Sequence, residues 1–120
     1  MIESESMSDS EQLAIEISVN QLHEMRQANE EFILLDVREP AEYETARIDG
    51  SRLLPMSELQ ARFGELLPHR DDHVVVQCHH GGRSMQVVQA LRQAGFSRVQ
   101  NLAGGIDQWS LQADDTVPRY

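Results

Sequence analysis

Runs of apolar residues divide the chain into short segments that alternate between strand and helix patterns. The continuous apolar run at 32–37 is typical of a buried parallel strand, and so is the valine-rich run at 73–77. Shorter apolar runs predict three further strands, at 15–17, 51–54 and 99–102. Five short strands are therefore expected.

Helix signals lie between these strands. Ser18 with Gln21 and Ser57 with Gln60 have capping-box spacing, which predicts one helix to about residue 28 and another ending before Pro68. Apolar residues at helical spacing predict a longer helix over 84–94. Two shorter helical segments are expected at 40–45, which opens with a proline, and after the glycine pair at 104–105.

Strands that alternate with helices predict an α/β fold, with a mostly parallel central sheet and helices on both faces. We expect one such domain at 13–112, a flexible acidic leader at 1–12 and a C-terminal tail at 113–120. Ligands of such sheets gather at the carboxyl ends of strands. Cys78 directly follows the strand predicted at 73–77, so the topology places it where a site is expected.

The charge of the chain narrows the possible partners. Its 120 residues carry a net charge of −10, and five of the twenty acids fall within the first sixteen residues. Because nucleic-acid and anionic-membrane binding need a basic surface, neither is expected. No apolar run reaches the roughly 18 residues of a membrane helix, and the acidic, serine-rich start is unlike a secretory signal. The expected location is cytoplasmic.

Two absences limit the chemistry. The chain has no lysine, which excludes Schiff-base chemistry and a phosphate-binding loop of the Gly-Lys-Ser type. Cys78 is the single cysteine, so it cannot form an intrachain disulfide and must react with a partner molecule. No metal is predicted, because Cys78 and the four histidines in its half of the chain show no recognised ligand spacing: His69, His73, His79 and His80.

The segment after the fourth predicted strand reads Cys-His-His-Gly-Gly-Arg, followed by a helix. Two glycines let the backbone curl so that several amide hydrogens face one point, and the helix adds its positive end. A thiol at that point should have a lowered pKa, and Arg83 adds a cation. The alternative is that Cys78 is a small buried apolar side chain.

Residues 78–84, with the sequence CHHGGRS, resemble the active-site loop of rhodanese-homology domains. Three other segments resemble motifs of that family in the same order: LLDVRE at 34–39, the segment at 48–55, and NLAGGIDQW at 101–109. The chain departs from the family where Gly-His-Ile-Pro-Gly-Ala is replaced by the sequence at 46–51. That change lies in a turn, so we expect altered turn geometry and retained chemistry.

The resemblance implies a sulfurtransferase without cofactor or metal. Cys78 would be the catalytic nucleophile, taking sulfur from a small donor such as thiosulfate, or from a persulfide, and passing it to a thiol or protein-cysteine acceptor. The remaining loop residues would bind substrate: His79, His80, Gly81, Gly82, Arg83 and Ser84. Asp36 and Arg38 would support the loop through hydrogen bonds and a salt bridge.

Several alternatives stay open. Arg83 either orients an anionic donor or forms a structural salt bridge with Asp36 or another acid, and the part played by the side chains of His79 and His80 is undecided. Phosphatases and arsenate reductases also use a cysteine and an arginine, but phosphatases place five residues between them, whereas this loop has four. A noncatalytic binding module and a protein-to-protein sulfur relay are the remaining readings, and the physiological donor and acceptor and the oligomeric state are not predicted.

Overall fold

The computed structural model describes residues 13–120, so the predicted leader lies outside the described part. Five strands form a single sheet: β1 (Glu16–Ile17), β2 (Ile33–Asp36), β3 (Arg52–Leu53), β4 (Val74–Gln77) and β5 (Val99–Leu102). Every strand pair is parallel, and the order β1-β5-β4-β2-β3 places β4 at the centre. The predicted α/β class with a parallel sheet is confirmed.

The described residues form five α-helices, of which the first four lie between successive strands and the fifth follows β5: α1 (Val19–Gln27), α2 (Pro40–Thr45), α3 (Leu59–Arg62), α4 (Gly82–Gln93) and α5 (Gly105–Gln112). The capping box at the start of α1 is present, because the Gln21 amide donates to the Ser18 hydroxyl and the Ser18 amide donates to the Gln21 side chain. α4 begins at Gly82, two residues before the predicted start, because Gly81 caps it with a left-handed backbone.

The second predicted capping box was wrong. Ser57 lies within a 3₁₀ turn, Met56–Glu58, and its hydroxyl donates to the Glu39 carboxylate at 2.9 Å. A capping residue needs an extended backbone, which a residue inside a helical turn does not have. The expected single helix is instead α3 flanked by short 3₁₀ turns, so this part of the chain is only loosely helical.

Alternating strand residues feed two apolar clusters, one on each face of the sheet. Val74 and Val76 of β4 pack with α4, whereas Val75 packs on the opposite side with α1 and α5. Trp109 of α5 is 3% exposed and belongs to that second cluster. Helices therefore cover both faces. Within residues 13–120, no helix has the length and apolar character needed to span a bilayer.

Candidate active site

The Cys78 loop lies at the carboxyl end of the central strand, where the topology predicts a site. Cys78 is 1% exposed. Its Sγ accepts hydrogen bonds from the Gly81 amide at 3.1 Å, the Ser84 amide at 3.4 Å and the Ser84 hydroxyl at 3.3 Å. Gly81 has φ of 111°, a left-handed conformation that turns the chain so that these donors face the sulfur.

The acidity of Cys78 reflects two opposing effects. Burial raises the pKa of the thiol, but hydrogen bonds from the Ser84 hydroxyl and from the Ser84, Gly81 and His80 amides outweigh it and lower the pKa below its ordinary value. The Ser84 hydroxyl has one proton and also lies 2.5 Å from Asn101 Oδ1, so it cannot donate to both acceptors. Unlike this hydroxyl, the Gly81 and Ser84 amides are not shared with a second acceptor among the described residues.

Helix α5 donates two backbone hydrogen bonds to the Cys78 loop. The Ile106 amide donates to the Cys78 carbonyl at 2.9 Å, and the Asp107 amide donates to the His79 carbonyl at 3.1 Å. Gly105 makes this approach possible, because a Cβ at that position would lie 2.4 Å from the Cys78 carbonyl oxygen. Gly105 of the segment at 101–109 therefore allows α5 to approach the backbone of the cysteine loop.

Arg83 is paired with Glu42 of α2. Its guanidinium donates to both Glu42 carboxylate oxygens, at 2.8 and 2.9 Å. The hydrogen bond from Arg83 is the largest influence on the pKa of Glu42, which is lowered to about 2, so the pair is ionised at neutral pH. The partner is therefore not Asp36, the acid named from the sequence, but Glu42, which falls under the alternative of another acid. Glu42 was missed because nothing in its local sequence marks it.

Asp36 and Arg38 form a salt bridge of 2.7 Å in which both side chains are 0% exposed. Arg38 also donates to the backbone carbonyls of Ala46 and Glu42, at 2.6 and 3.2 Å. The pair thus fixes the segment that carries Glu42, and Glu42 in turn holds Arg83. The structure connects Asp36 and Arg38 to the loop by this indirect route.

His79 and His80 stack on each other with ring centroids 3.9 Å apart. Burial lowers the pKa of His79, and the nearby His80 lowers it further. His80 Nε2 lies 3.9 Å from a carboxylate oxygen of Asp107, and potential ligand atoms of His79, His80 and Asp107 lie within 4.8 Å of one another. His73 precedes β4 and so lies at the opposite end of that strand from Cys78.

The Gly81 amide, the Ser84 amide and the Ser84 hydroxyl surround the Cys78 sulfur, and we call these donors the cradle. The cradle predicts a thiol of measurably lowered pKa. Alkylation of Cys78 by iodoacetamide should titrate with a midpoint below the free-thiol pKa of about 8.5. Ser84→Ala should raise the midpoint but leave it below that value, because the two amides remain. Ser57→Ala, which removes a distant hydroxyl, should have no effect. A wild-type midpoint at or above the free-thiol value would refute the cradle.

The profile of the rhodanese-like domain family matches residues 18–112. This chain belongs to that family, which confirms the resemblance seen in its motifs. It is 38% identical over 95 residues to a sulfurtransferase of Allochromatium vinosum, and the match covers 79% of this chain and 87% of that protein.

Two other similarities are informative. The chain is 38% identical over 116 residues to the Arabidopsis thaliana protein "Rhodanese-like/PpiC domain-containing protein 12, chloroplastic"; the match covers 88% of this chain but only 37% of that longer protein. Among solved structures, the human single-domain sulfurtransferase TSTD1 is 28% identical with a TM-score of 0.73, covering 83% of this chain and 98% of that one. The relatives thus include sulfurtransferases.

Proposed function

We propose that this protein is a sulfurtransferase that carries sulfane sulfur as a persulfide on Cys78. The observation that carries the proposal is the convergence of the Gly81 and Ser84 amides on the Cys78 sulfur at the end of β4. Donors in this arrangement stabilise a sulfur anion, which is the reactive form of both a thiol and a persulfide.

The proposed reaction has two steps. The Cys78 thiolate attacks the outer sulfur of thiosulfate, a new S–S bond forms, and sulfite leaves with the electron pair of the bond that breaks. The thiolate of an acceptor then attacks the outer sulfur of the persulfide, which forms the acceptor persulfide and returns Cys78 as a thiolate. Charge and atoms balance in both steps, and neither step requires a cofactor.

Loop length supports sulfur rather than phosphorus as the transferred atom. Four residues separate Cys78 from Arg83, one fewer than in the phosphatases, so the ring of amides is smaller than one built for a phosphoryl group. Hydrolysis of para-nitrophenyl phosphate that is lost in Cys78→Ser, without any sulfur transfer, would favour the phosphatase alternative.

The charges around the loop bear on the donor. Three guanidinium groups near the site are each paired with a carboxylate: Arg83 with Glu42, Arg38 with Asp36, and Arg119 with Asp107. Because Glu42 already balances the charge of Arg83, this guanidinium attracts a thiosulfate dianion less than an unpaired one would, and a persulfide donor depends less on that attraction. This favours a sulfur relay, in which a partner's persulfide supplies the sulfur, as the second candidate function.

Intact-mass measurement tests the proposal. Wild-type protein incubated with thiosulfate, or separately with glutathione persulfide, should gain the mass of one sulfur atom, and cyanide or a thiol should remove it. Cys78→Ala should show no gain. Loading by the persulfide alone would select the relay over the thiosulfate reaction, and no gain with any donor would contradict both. The cytoplasmic location expected from the sequence stays a prediction.

A further inference from the structure

The residues beyond the family match fold back onto the catalytic loop. The rhodanese-like profile ends at residue 112, yet Val117 is 7% exposed and packs in the same apolar cluster as Trp109. The Ser110 hydroxyl donates to the Val117 carbonyl, which fixes the chain there. We call residues 117–120 the clasp, because Tyr120 contacts His79 of the loop and Arg119 contacts Asp107 of α5.

Tyr120 of the clasp contacts the residue that follows the catalytic cysteine. Its ring lies on the His79 ring with centroids 4.0 Å apart and planes 5° apart. Since His79 also stacks on His80, the three rings form a continuous stack. The clasp thus contacts the His79 ring directly and the His80 ring only through His79.

The hydroxyl of Tyr120 is anchored separately. It accepts a hydrogen bond from Arg38 Nη1 at 2.8 Å and donates to Glu42 Oε2 at 3.0 Å. The neighbouring Arg119 donates to both carboxylate oxygens of Asp107, at 2.9 and 3.3 Å. The ring is therefore held in place on His79 by contacts with α2 and α5.

Packing alone does not account for Tyr120. Tyr120 is 41% exposed and belongs to neither apolar cluster, whereas Val117 is 7% exposed and belongs to the cluster that contains Trp109. Tyr120 instead makes its close contacts with a loop residue and with the carboxylate that binds Arg83. His79 directly follows Cys78 in the chain, and Glu42 binds Arg83 at the start of α4.

We propose that Tyr120 is a positioning residue for the Cys78 cradle, acting through the ring stack that immobilises the His79–His80 segment. This segment is followed directly by Gly81, whose amide donates to the Cys78 sulfur at 3.1 Å, so movement of the segment changes the donors around the sulfur. Charged and titratable groups surround the loop on several elements. They are Asp36 at the end of β2, Arg38 after it, Glu42 of α2, His79 and His80 of the loop, Arg83 of α4, Asp107 of α5, Arg119 and Tyr120 of the clasp, and Glu16 of β1, which is linked to the Gly81 carbonyl through Asn101.

Alkylation of Cys78 as a function of pH tests this proposal. Tyr120→Ala should raise the midpoint by about half a pH unit, because the segment that precedes the Gly81 amide is no longer held in place beside the sulfur. Tyr120→Phe keeps the ring and should lie closer to wild type than to Tyr120→Ala. The matched controls are Leu111→Ala, which removes an exposed apolar side chain from α5, and Tyr43→Phe, which removes one hydroxyl that bonds elsewhere. Neither control should move the midpoint.

A second readout depends on the proposed sulfur transfer. The kcat/KM of Tyr120→Ala for the donor that loads the protein should fall by about tenfold, the size expected from a misplaced reacting group. If wild type transfers no sulfur, the proposed function fails while the alkylation test of Tyr120 still stands. A Tyr120→Ala midpoint equal to that of wild type would overturn the positioning role.

One further variant guards against loss of the fold. Arg119→Ala removes the salt bridge to Asp107 and loosens the clasp without touching the ring stack. It should raise the alkylation midpoint in the same direction as Tyr120→Ala, by less, with the thermal unfolding midpoint recorded for each variant. An unchanged midpoint in Arg119→Ala together with misfolded Tyr120→Ala would count against the clasp.

Discussion

Replacing Asp36 by alanine is expected to destabilise the protein by about 3–5 kcal/mol, because the substitution leaves the Arg38 guanidinium buried without its countercharge. Both side chains of this pair are 0% exposed, so water cannot take the place of the carboxylate. Chemical denaturation of wild type and Asp36→Ala measures the difference, provided that both unfold in a single transition.

An exposed ion pair supplies the control for this prediction. Glu65 pairs with Arg62 at 2.8 Å, but the two side chains are 43% and 36% exposed, so Glu65→Ala should have little effect on stability. The double variant Asp36→Leu/Arg38→Met should recover much of the loss, since it removes both charges together. Equal destabilisation by Asp36→Ala and Glu65→Ala would show that the buried pair does not support the fold.

Gly105→Ala should damage both stability and sulfur loading. A Cβ at residue 105 would lie 2.4 Å from the Cys78 carbonyl oxygen and 2.6 Å from that of His79, and φ is +60°. Because both contacts are with backbone, α5 and the loop must separate, at a cost of about 2–4 kcal/mol from overpacking and backbone strain. The intact-mass assay should show sulfur loading reduced by at least about tenfold.

Gly64→Ala is the matched control for Gly105→Ala. A Cβ at residue 64 would contact nothing within 4 Å, and its backbone is not left-handed. This variant should unfold at the same temperature as wild type or slightly higher, because alanine restricts the unfolded chain. If the two variants are equally stable and load sulfur equally well, the hold of α5 on the loop is not needed for the site.

The parts of the fold that were predictable are those encoded by short stretches of sequence. The valine run of β4 and the capping box of Ser18 each act within a few residues, and both are present in the structure. The box at Ser57 has the same spacing but failed, because the preceding segment already turns into a 3₁₀ helix and leaves Ser57 without an extended backbone. Spacing alone does not report that conformation.

The site likewise contains residues that the local sequence predicts and residues that it does not. Cys78, Gly81 and Ser84 are close in sequence, so a local pattern was enough to place them around one sulfur. Glu42 lies 41 residues before its partner Arg83, and Tyr120 lies 82 residues after its partner Arg38. Each contact exists only because the sheet has brought distant elements together. Parallel topology predicts which strand ends meet, but not which side chains of the flanking helices pair there.

The hold of α5 on the Cys78 and His79 carbonyls has a consequence for biosynthesis. A ribosome makes Cys78 before Gly105, Ile106 and Asp107, and the loop cannot be completed until those later residues have emerged and docked. During that interval the Cys78 and His79 carbonyls lack the Ile106 and Asp107 amides that donate to them in the complete fold. The complete loop therefore exists only in a chain in which β5 and α5 are in place.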